Sequence, residues 1–200
     1  MKNKILIFGA GGLCKQILND HNIQNDFVVY QDDRIFDEFF KNFQTTNKIS
    51  DDFSHFILGV SGTKTRENIT NVLSKYNLKP INFINSKLSQ DTIIEDNIII
   101  LQDVFIEPCV KIRQGCLLNV GSKIFHDVKI GKFCEIAPQS CILGRVEIGD
   151  YTFIGAGSII LPKIKIGKNC VIGAGSIVTK NVPDDQIWFG NPAKFVYNNL

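Results

Sequence analysis

From Ile94 onward the chain places an aliphatic residue at every sixth position: Ile100, Ile106, Ile112, Leu118, Ile124, Ile130, Ile136, Ile142, Ile148, Ile154, Ile160, Ile166, Ile172 and Val178. The register does not slip. A period of six fits neither an amphipathic helix nor a lone alternating strand, so the repeat itself is the structural unit. Two residues before these positions stand Val or a small Ser, Thr or Cys, as at Val104, Cys116, Ser122, Val128, Cys134, Ser140, Thr152, Ser158, Cys170 and Ser176, which supply a second inward position. Gly131, Gly149, Gly155, Gly167 and Gly173 directly follow the aliphatic residue. A backbone turning a corner there gains from having no Cβ. Such hexads predict a prism of parallel strands, three hexads to a turn, with the aliphatic side chains stacked inside. Ile94 to Pro183 leaves room for roughly five turns, a column on the order of 24 Å tall at about 4.8 Å per strand.

The stretch resembles the left-handed parallel β-helix of hexapeptide acyltransferases. The left hand is what that resemblance implies, because ordinary parallel crossovers are right-handed.

The prism accounts for nearly half of the 200 residues, so two domains are expected, at 1–86 and 87–200. Lys4 to Phe8 reads as a buried strand that ends in Gly9-Ala10-Gly11-Gly12 before a helical segment, Leu13 to Asn19. Backbone N–H groups at such a turn can cradle a diphosphate. The third glycine of the full dinucleotide fingerprint is absent, and a tight turn without ligand fits as well. Val28 to Tyr30 reads as a second strand, followed by Asp32-Asp33. Acidic residues at that spacing receive hydroxyl or N–H donors from a nucleoside, or are two solvated carboxylates opening a turn. Phe36 to Phe43 is an aromatic-rich, irregular segment. Phe56 to Val60 makes a third strand, with Gly59 toward its C-terminal end. Thr63 to Tyr76 makes a helix, capped by Thr63, with Arg66 in its first turn and Ile69, Val72 and Leu73 on its buried face. Ile81 to Ile84 closes the unit as a fourth strand. Alternating strands and helices imply a small Rossmann-like parallel sheet whose ligand lies at the C-terminal ends of its strands. A short polar junction, Asn85 to Asp91, leads into the hexads, and the tail from Trp188 to Lys194 caps the far end of the prism.

A net charge of +2 gives no reason to expect nucleic acid or an acidic membrane as partner. No apolar run has the length of a membrane span, and Met1-Lys2-Asn3-Lys4 leads directly into a strand, so a cytoplasmic protein is expected. The six cysteines contain no C-x-x-C pair. Cys116, Cys134 and Cys170 occupy the small inward position and read as core, while nothing around Cys14, Cys109 or Cys141 argues for a reactive thiol. Of the three histidines, His21, His55 and His126, only His126 lies in the prism. A zinc hydratase on such a prism needs about three histidine ligands, so no metal is expected. His126 falls two residues past the inward Ile124, near a corner and outside the core, with Asp127 beside it to hold an imidazole tautomer. A neutral imidazole is suited to take a proton from an attacking amine or hydroxyl near neutral pH.

Taken together, Gly-Ala-Gly-Gly, Asp32-Asp33, the Gly59 strand end with Arg66, the segment Asn119 to Asp127, the hexads and the terminal Gly-Asn-Pro-Ala-Lys resemble the sugar N-acetyltransferases that act on nucleotide-linked amino sugars, within the superfamily of sialic acid O-acetyltransferases. The resemblance implies a homotrimer with acetyl-CoA as co-substrate in the groove between adjacent prisms. It implies His126 as general base, Asp127 as its acidic partner, Gly144 as the backbone donor to the thioester carbonyl, and Asn119 beside the sugar. Gly155, Ala156, Gly173, Ala174 and Lys194 are the expected holders of CoA. Gly9, Gly11, Gly12, Asp32, Asp33, Gly59 and Arg66 are expected to hold the sugar's nucleotide. Where some relatives carry a second histidine nine residues after the catalytic one, this chain has Glu135, a cofactor-side candidate whose contact is not carried over. The histidine often found after the N-terminal glycines is Leu13, and Asp127 replaces a glutamate of some members. The expected reaction is N-acetylation of a nucleotide-linked 4-amino-4,6-dideoxy sugar for surface polysaccharide or glycan synthesis. Two alternatives are O-acetylation of a sialic acid-type sugar and a nucleotide-sugar-binding trimer without turnover.

Overall fold

The computed structural model describes residues 4–19, 27–31 and 38–199. Contacts divide the chain into two units, Met1–Phe83 and Ile84–Leu200.

In the first unit β1 (Lys4–Phe8), β2 (Phe27–Tyr30), β3 (Gln44–Thr46), β4 (Phe53–Leu58) and β5 (Lys79–Pro80) form one parallel sheet in the order β3-β2-β1-β4-β5. The central strands are continuous apolar runs, and Leu6, Ile7, Phe56, Ile57 and Leu58 are buried, as expected for parallel strands covered on both faces. Helix α1 spans Gly12–Leu18 and α2 spans Thr63–Lys75.

Several expectations are corrected here. The strand that closes this sheet is β5 at Lys79–Pro80, paired with His55 and Phe56 of β4, and of the strand expected at Ile81 to Ile84 only Phe83–Ile84 forms, outside this sheet. Pro80, which has no N–H to donate, is tolerated because β5 is an edge strand. Ile84 begins the second unit, where the Asn85 N–H donates to Ile100 C=O at 2.8 Å. The irregular aromatic segment contains a 3-10 helix at Glu38–Asn42 with Phe40 buried, followed by β3, while Phe36 lies outside the described residues. The buried stripe of α2 is Arg66, Thr70 and Leu73, with Ile69 half-buried and Val72 exposed. Its cap is Gly62 at φ 93°, with no side-chain cap bond from Thr63. The third strand starts earlier than expected and ends at Leu58, which leaves Gly59 and Val60 beyond its end.

The second unit is a three-sided parallel prism. Its first face holds Ile93–Ile94, Lys111–Ile112, Lys129–Ile130, Glu147–Ile148 and Lys165–Ile166. The second face runs from Ile99–Ile100 through Leu117–Leu118, Glu135–Ile136 and Phe153–Ile154 to Val171–Ile172. The third face holds Phe105–Ile106, Lys123–Ile124, Cys141–Ile142, Ile159–Ile160 and Ile177–Val178. Pairing is in register from coil to coil, as Lys123 with Cys141 and Ile124 with Ile142. The aliphatic residue of every hexad from Ile100 to Val178 is buried. Burial of each such side chain is worth about 1.5–3 kcal/mol relative to exposure.

The corners are built differently from the sequence expectation. Every sixth residue from Asp91 to Gly175 has a positive φ, between 51° and 78°. Only some are glycine; Cys109, Phe133, Arg145, Tyr151 and Lys163 adopt it too. Each non-glycine residue there gives up on the order of 1 kcal/mol. The coil below offsets this by accepting the corner N–H, as in Tyr151 N–H to Lys132 C=O at 2.8 Å and Arg145 N–H to His126 C=O at 2.9 Å. The glycines after the aliphatic residues serve another purpose. A Cβ on Gly149 or Gly155 would lie 2.5 Å from a backbone nitrogen of the next coil, Lys168 N or Ala174 N. It is close stacking of coils that excludes a side chain there.

Cys116, Cys134 and Cys170 are buried as expected, and their Sγ atoms donate to Gly131, Gly149 and Pro183 carbonyls at 2.9, 3.1 and 3.1 Å. The tail adds two strands to the second face, Gln186–Gly190 parallel to Val171–Ile172 and then Ala193–Asn198 antiparallel. Trp188 and Ala193 close the far end of the core. Among the described residues no helix is long and apolar enough to cross a membrane.

Candidate active site

One coil takes 18 residues, so residues at that spacing stand one above another. His126 lies over Pro108 and beneath Gly144, and Asp127 lies over Cys109 and beneath Arg145, at the corner between the third and first faces. This corner fixes His126 on several sides. Its backbone N–H donates to Glu107 Oε2 at 2.9 Å, and its C=O accepts the Arg145 N–H at 2.9 Å. Its Nδ1 is 2.9 Å from Asp127 Oδ2. An ionised carboxylate only accepts, so Asp127 assigns the proton to Nδ1 and leaves Nε2 with a free lone pair.

The His126 hydrogen bond, reinforced by the charge of Arg145, holds the Asp127 carboxyl below the usual carboxylate range. Arg145 Nε is 3.5 Å from Asp127 Oδ2. The His126, Asp127 and Arg145 side chains remain 52%, 47% and 62% exposed, so a substrate can reach the corner.

Gly144 completes the arrangement. A Cβ on it would stand 2.5 Å from His126 Nε2, so only glycine lets the imidazole lie over this backbone. The Gly144 N–H has no partner among the described residues. An imidazole lone pair therefore lies beside a residue whose backbone N–H is unused. One can take a proton and the other can stabilise a developing oxyanion.

The remaining candidates fall in other places. Asn119, Gly155 and Gly173 stack in one column with Ala137 at the corner between the second and third faces, beside exposed Ala156 and Ala174. Asn119 uses its Oδ1 to accept the Val120 N–H at 2.8 Å. Lys194 is exposed and pairs with Phe189, whose Cβ packs against Gly173. Within one chain this column and the His126 corner border the two edges of the third face and do not meet. Glu135 lies on the second face, 7% exposed.

In the first unit, Gly9 has φ +118°, and a Cβ there would meet Val60 Cγ1 at 2.6 Å; a Cβ on Gly59 would meet Cys14 Cβ at 3.0 Å. Both glycines are needed for packing. A Cβ added at Gly11 or Gly12 would meet nothing within 4 Å, and the two open the helix without a side-chain cap. Arg66 is fully buried, with Nη1 donating to Val60 C=O at 2.9 Å, so it braces the strand end. Asp32 and Asp33 lie outside the described residues. Among the described residues no group of three His, Cys, Asp or Glu gathers as a metal site.

Glu107 and Arg145 are the residues that sequence reasoning missed. Counting one coil from Asp127 finds Arg145, because a period of six stacks both residues at one corner.

Residues 145–180 match the family described as bacterial transferase hexapeptide (six repeats). The whole chain also matches solved structures. GDP-perosamine N-acetyl transferase from Caulobacter crescentus, a mutant in complex with CoA and GDP-perosamine, is 19% identical, with 99% of each chain covered and a TM-score of 0.86. The acetyltransferase domain of PglB from Neisseria gonorrhoeae is 22% identical, with 97% of this chain and 100% of that chain covered and a TM-score of 0.85. WeeI from Acinetobacter baumannii is 22% identical, with 96% and 99% covered and a TM-score of 0.85. At these identities the likeness is one of fold: a small Rossmann-like α/β unit followed by a left-handed parallel β-helix.

Proposed function

We propose that the protein transfers the acetyl group of acetyl-CoA to the amino group of a nucleotide-linked 4-amino-4,6-dideoxy sugar. The observation that carries this reading is the His126 and Gly144 pair, in which Asp127 holds Nδ1 and Nε2 lies over a backbone whose N–H is unused. The fold match to proteins solved with CoA, and with an amino sugar linked to GDP, supports the choice of substrates.

In this reading the neutral amine attacks the thioester carbonyl and a C–N bond forms. The Gly144 N–H stabilises the oxyanion, a contribution worth roughly 2.7–4 kcal/mol in other acyl-transfer sites. His126 Nε2 takes the proton that the amine sheds. The C–S bond then breaks, and the thiolate of CoA leaves and takes the proton from the imidazolium. No acyl-enzyme forms.

The apolar outer surface of the third face supports an assembly of copies. Phe105 is 50% exposed, and Phe125, Cys141, Leu143, Ile159, Leu161 and Ile177 are half-buried. A second copy covering this face would bring its Asn119, Gly155 and Gly173 column toward the His126 corner of the first, and three copies would close a ring. Gly155, Ala156, Gly173, Ala174 and Lys194 would then hold CoA. Gly11 and Gly12, with Asp32 and Asp33, would hold the nucleotide. Dependence on acetyl-CoA fits a reaction in the cytoplasm.

The test is thiol release from acetyl-CoA, with mass detection of product, against UDP-, dTDP- and GDP-linked 4-amino sugars and free sialic acid. Acetylation of one nucleotide-linked amine is expected. Turnover with sialic acid alone would make it an O-acetyltransferase, and no turnover with any acceptor would overturn the catalytic reading.

A further inference from the structure

We propose that Arg145 is a positioning residue that holds the Asp127 carboxylate against His126 and tempers its charge, an inference that rests on the reading of His126 as the base. Asp127 and Arg145 occupy the same corner position in successive coils, at φ 60° and 62°. The fold itself therefore places one over the other. Arg145 reaches the pair at two points. Its N–H donates to His126 C=O at 2.9 Å, and its Nε lies 3.5 Å from Asp127 Oδ2, the oxygen already bound to His126 Nδ1.

A carboxylate on an exposed corner can rotate away from the imidazole. A guanidinium within ion-pair distance of the same oxygen restricts that rotation and keeps Nδ1 as the protonated nitrogen, so Nε2 stays directed at Gly144. The guanidinium also offsets the Asp127 charge. The other groups facing the pair are Glu107, bound to the His126 N–H, Cys109 beneath Asp127 and Lys163 above Arg145. Of the two cations in this column, Arg145 is the one within ion-pair distance of Asp127.

The test uses the full-length protein with R145Q, R145K and R145G, the last because glycine accepts a positive φ without strain. R145Q and R145G are expected to lower kcat about two- to fivefold, the size of an exposed ion pair, with both KM values within about twofold. In 15N NMR spectra at about pH 8, His126 is expected to keep its proton on Nδ1 in the wild type, to share it between Nδ1 and Nε2 in R145Q, and to do so less in R145K. Unchanged tautomer signals with an unchanged kcat overturn the proposal. A higher KM for acetyl-CoA with kcat and the tautomer signals unchanged overturns it too, and makes Arg145 a phosphate contact. If the wild type transfers no acetyl group to any acceptor, the reading of His126 as base fails. The tautomer comparison still decides whether Arg145 governs this imidazole.

Discussion

Gly144 stands one coil above His126, and the Cβ of any other residue there would fall 2.5 Å from the imidazole Nε2 and 2.7 Å from Cε1. The two residues are a single device. The absence of a side chain on one determines where the ring of the other can lie, and leaves a backbone N–H bare beside it.

Gly144→Ala is therefore expected to push the ring off its position while the coil stays folded. A displacement of that size costs on the order of 10²-fold in kcat. Steady-state rates with a thermal melt check this: a normal rate with a lowered Tm would assign Gly144 to packing alone.

The pH dependence follows from Asp127. Because His126, and then Arg145, hold its carboxyl below the usual range, Asp127 stays charged through the range in which an imidazole titrates. Any stability it lends is present above the unfolded carboxyl's pKa and is lost only as pH falls through the lowered folded value, below about pH 4. The ratio of kcat for the wild type to that for D127N is therefore expected to stay constant between about pH 8 and 5, and a ratio that collapses toward one over that range would mean that Asp127 becomes protonated there.

The thiols should divide by environment. Burial pushes the Cys14 thiol up to about 12, and Cys134 is also raised by burial, whereas Cys109 is exposed at a corner. Brief alkylation of the native protein, followed by peptide mass mapping, is expected to modify Cys109 and spare Cys14, Cys116, Cys134 and Cys170. Rapid modification of Cys134 would contradict a tightly stacked prism.

Ile154 is fully buried between Ile136 and Ile172. Ile154→Ala leaves a cavity in the column and is expected to cost roughly 2–5 kcal/mol in denaturant unfolding. A loss below about 1 kcal/mol would mean that the coils collapse to fill the gap.

The prism was legible because its core is regular: an aliphatic residue every six positions can satisfy only a repeating structure. The corners were not, because their positive φ is imposed by coil-to-coil hydrogen bonds on residues such as Phe133, Arg145 and Tyr151, which carry no turn signal of their own. In the first unit β3 was missed since Gln44, Thr45 and Thr46 show no apolar alternation. The stripe of α2 was misread because a buried arginine, Arg66, takes the place expected of an aliphatic residue. His126 and Asp127 were legible as neighbours in sequence. Their grip by Glu107 and Arg145 is a relation between coils, visible only once the period is applied to the polar positions as well as the apolar ones.

The most direct measurement of the central claim compares kcat for acetyl transfer by the wild type and His126→Asn at saturating acetyl-CoA and amino-sugar acceptor. Asparagine keeps a polar side chain at the corner but cannot take a proton. The account predicts a loss of about 10²- to 10⁴-fold, toward the lower end because a neutral amine is already a competent nucleophile. Equal rates for the two proteins would contradict it, and would move the reacting centre away from the His126 and Gly144 stack.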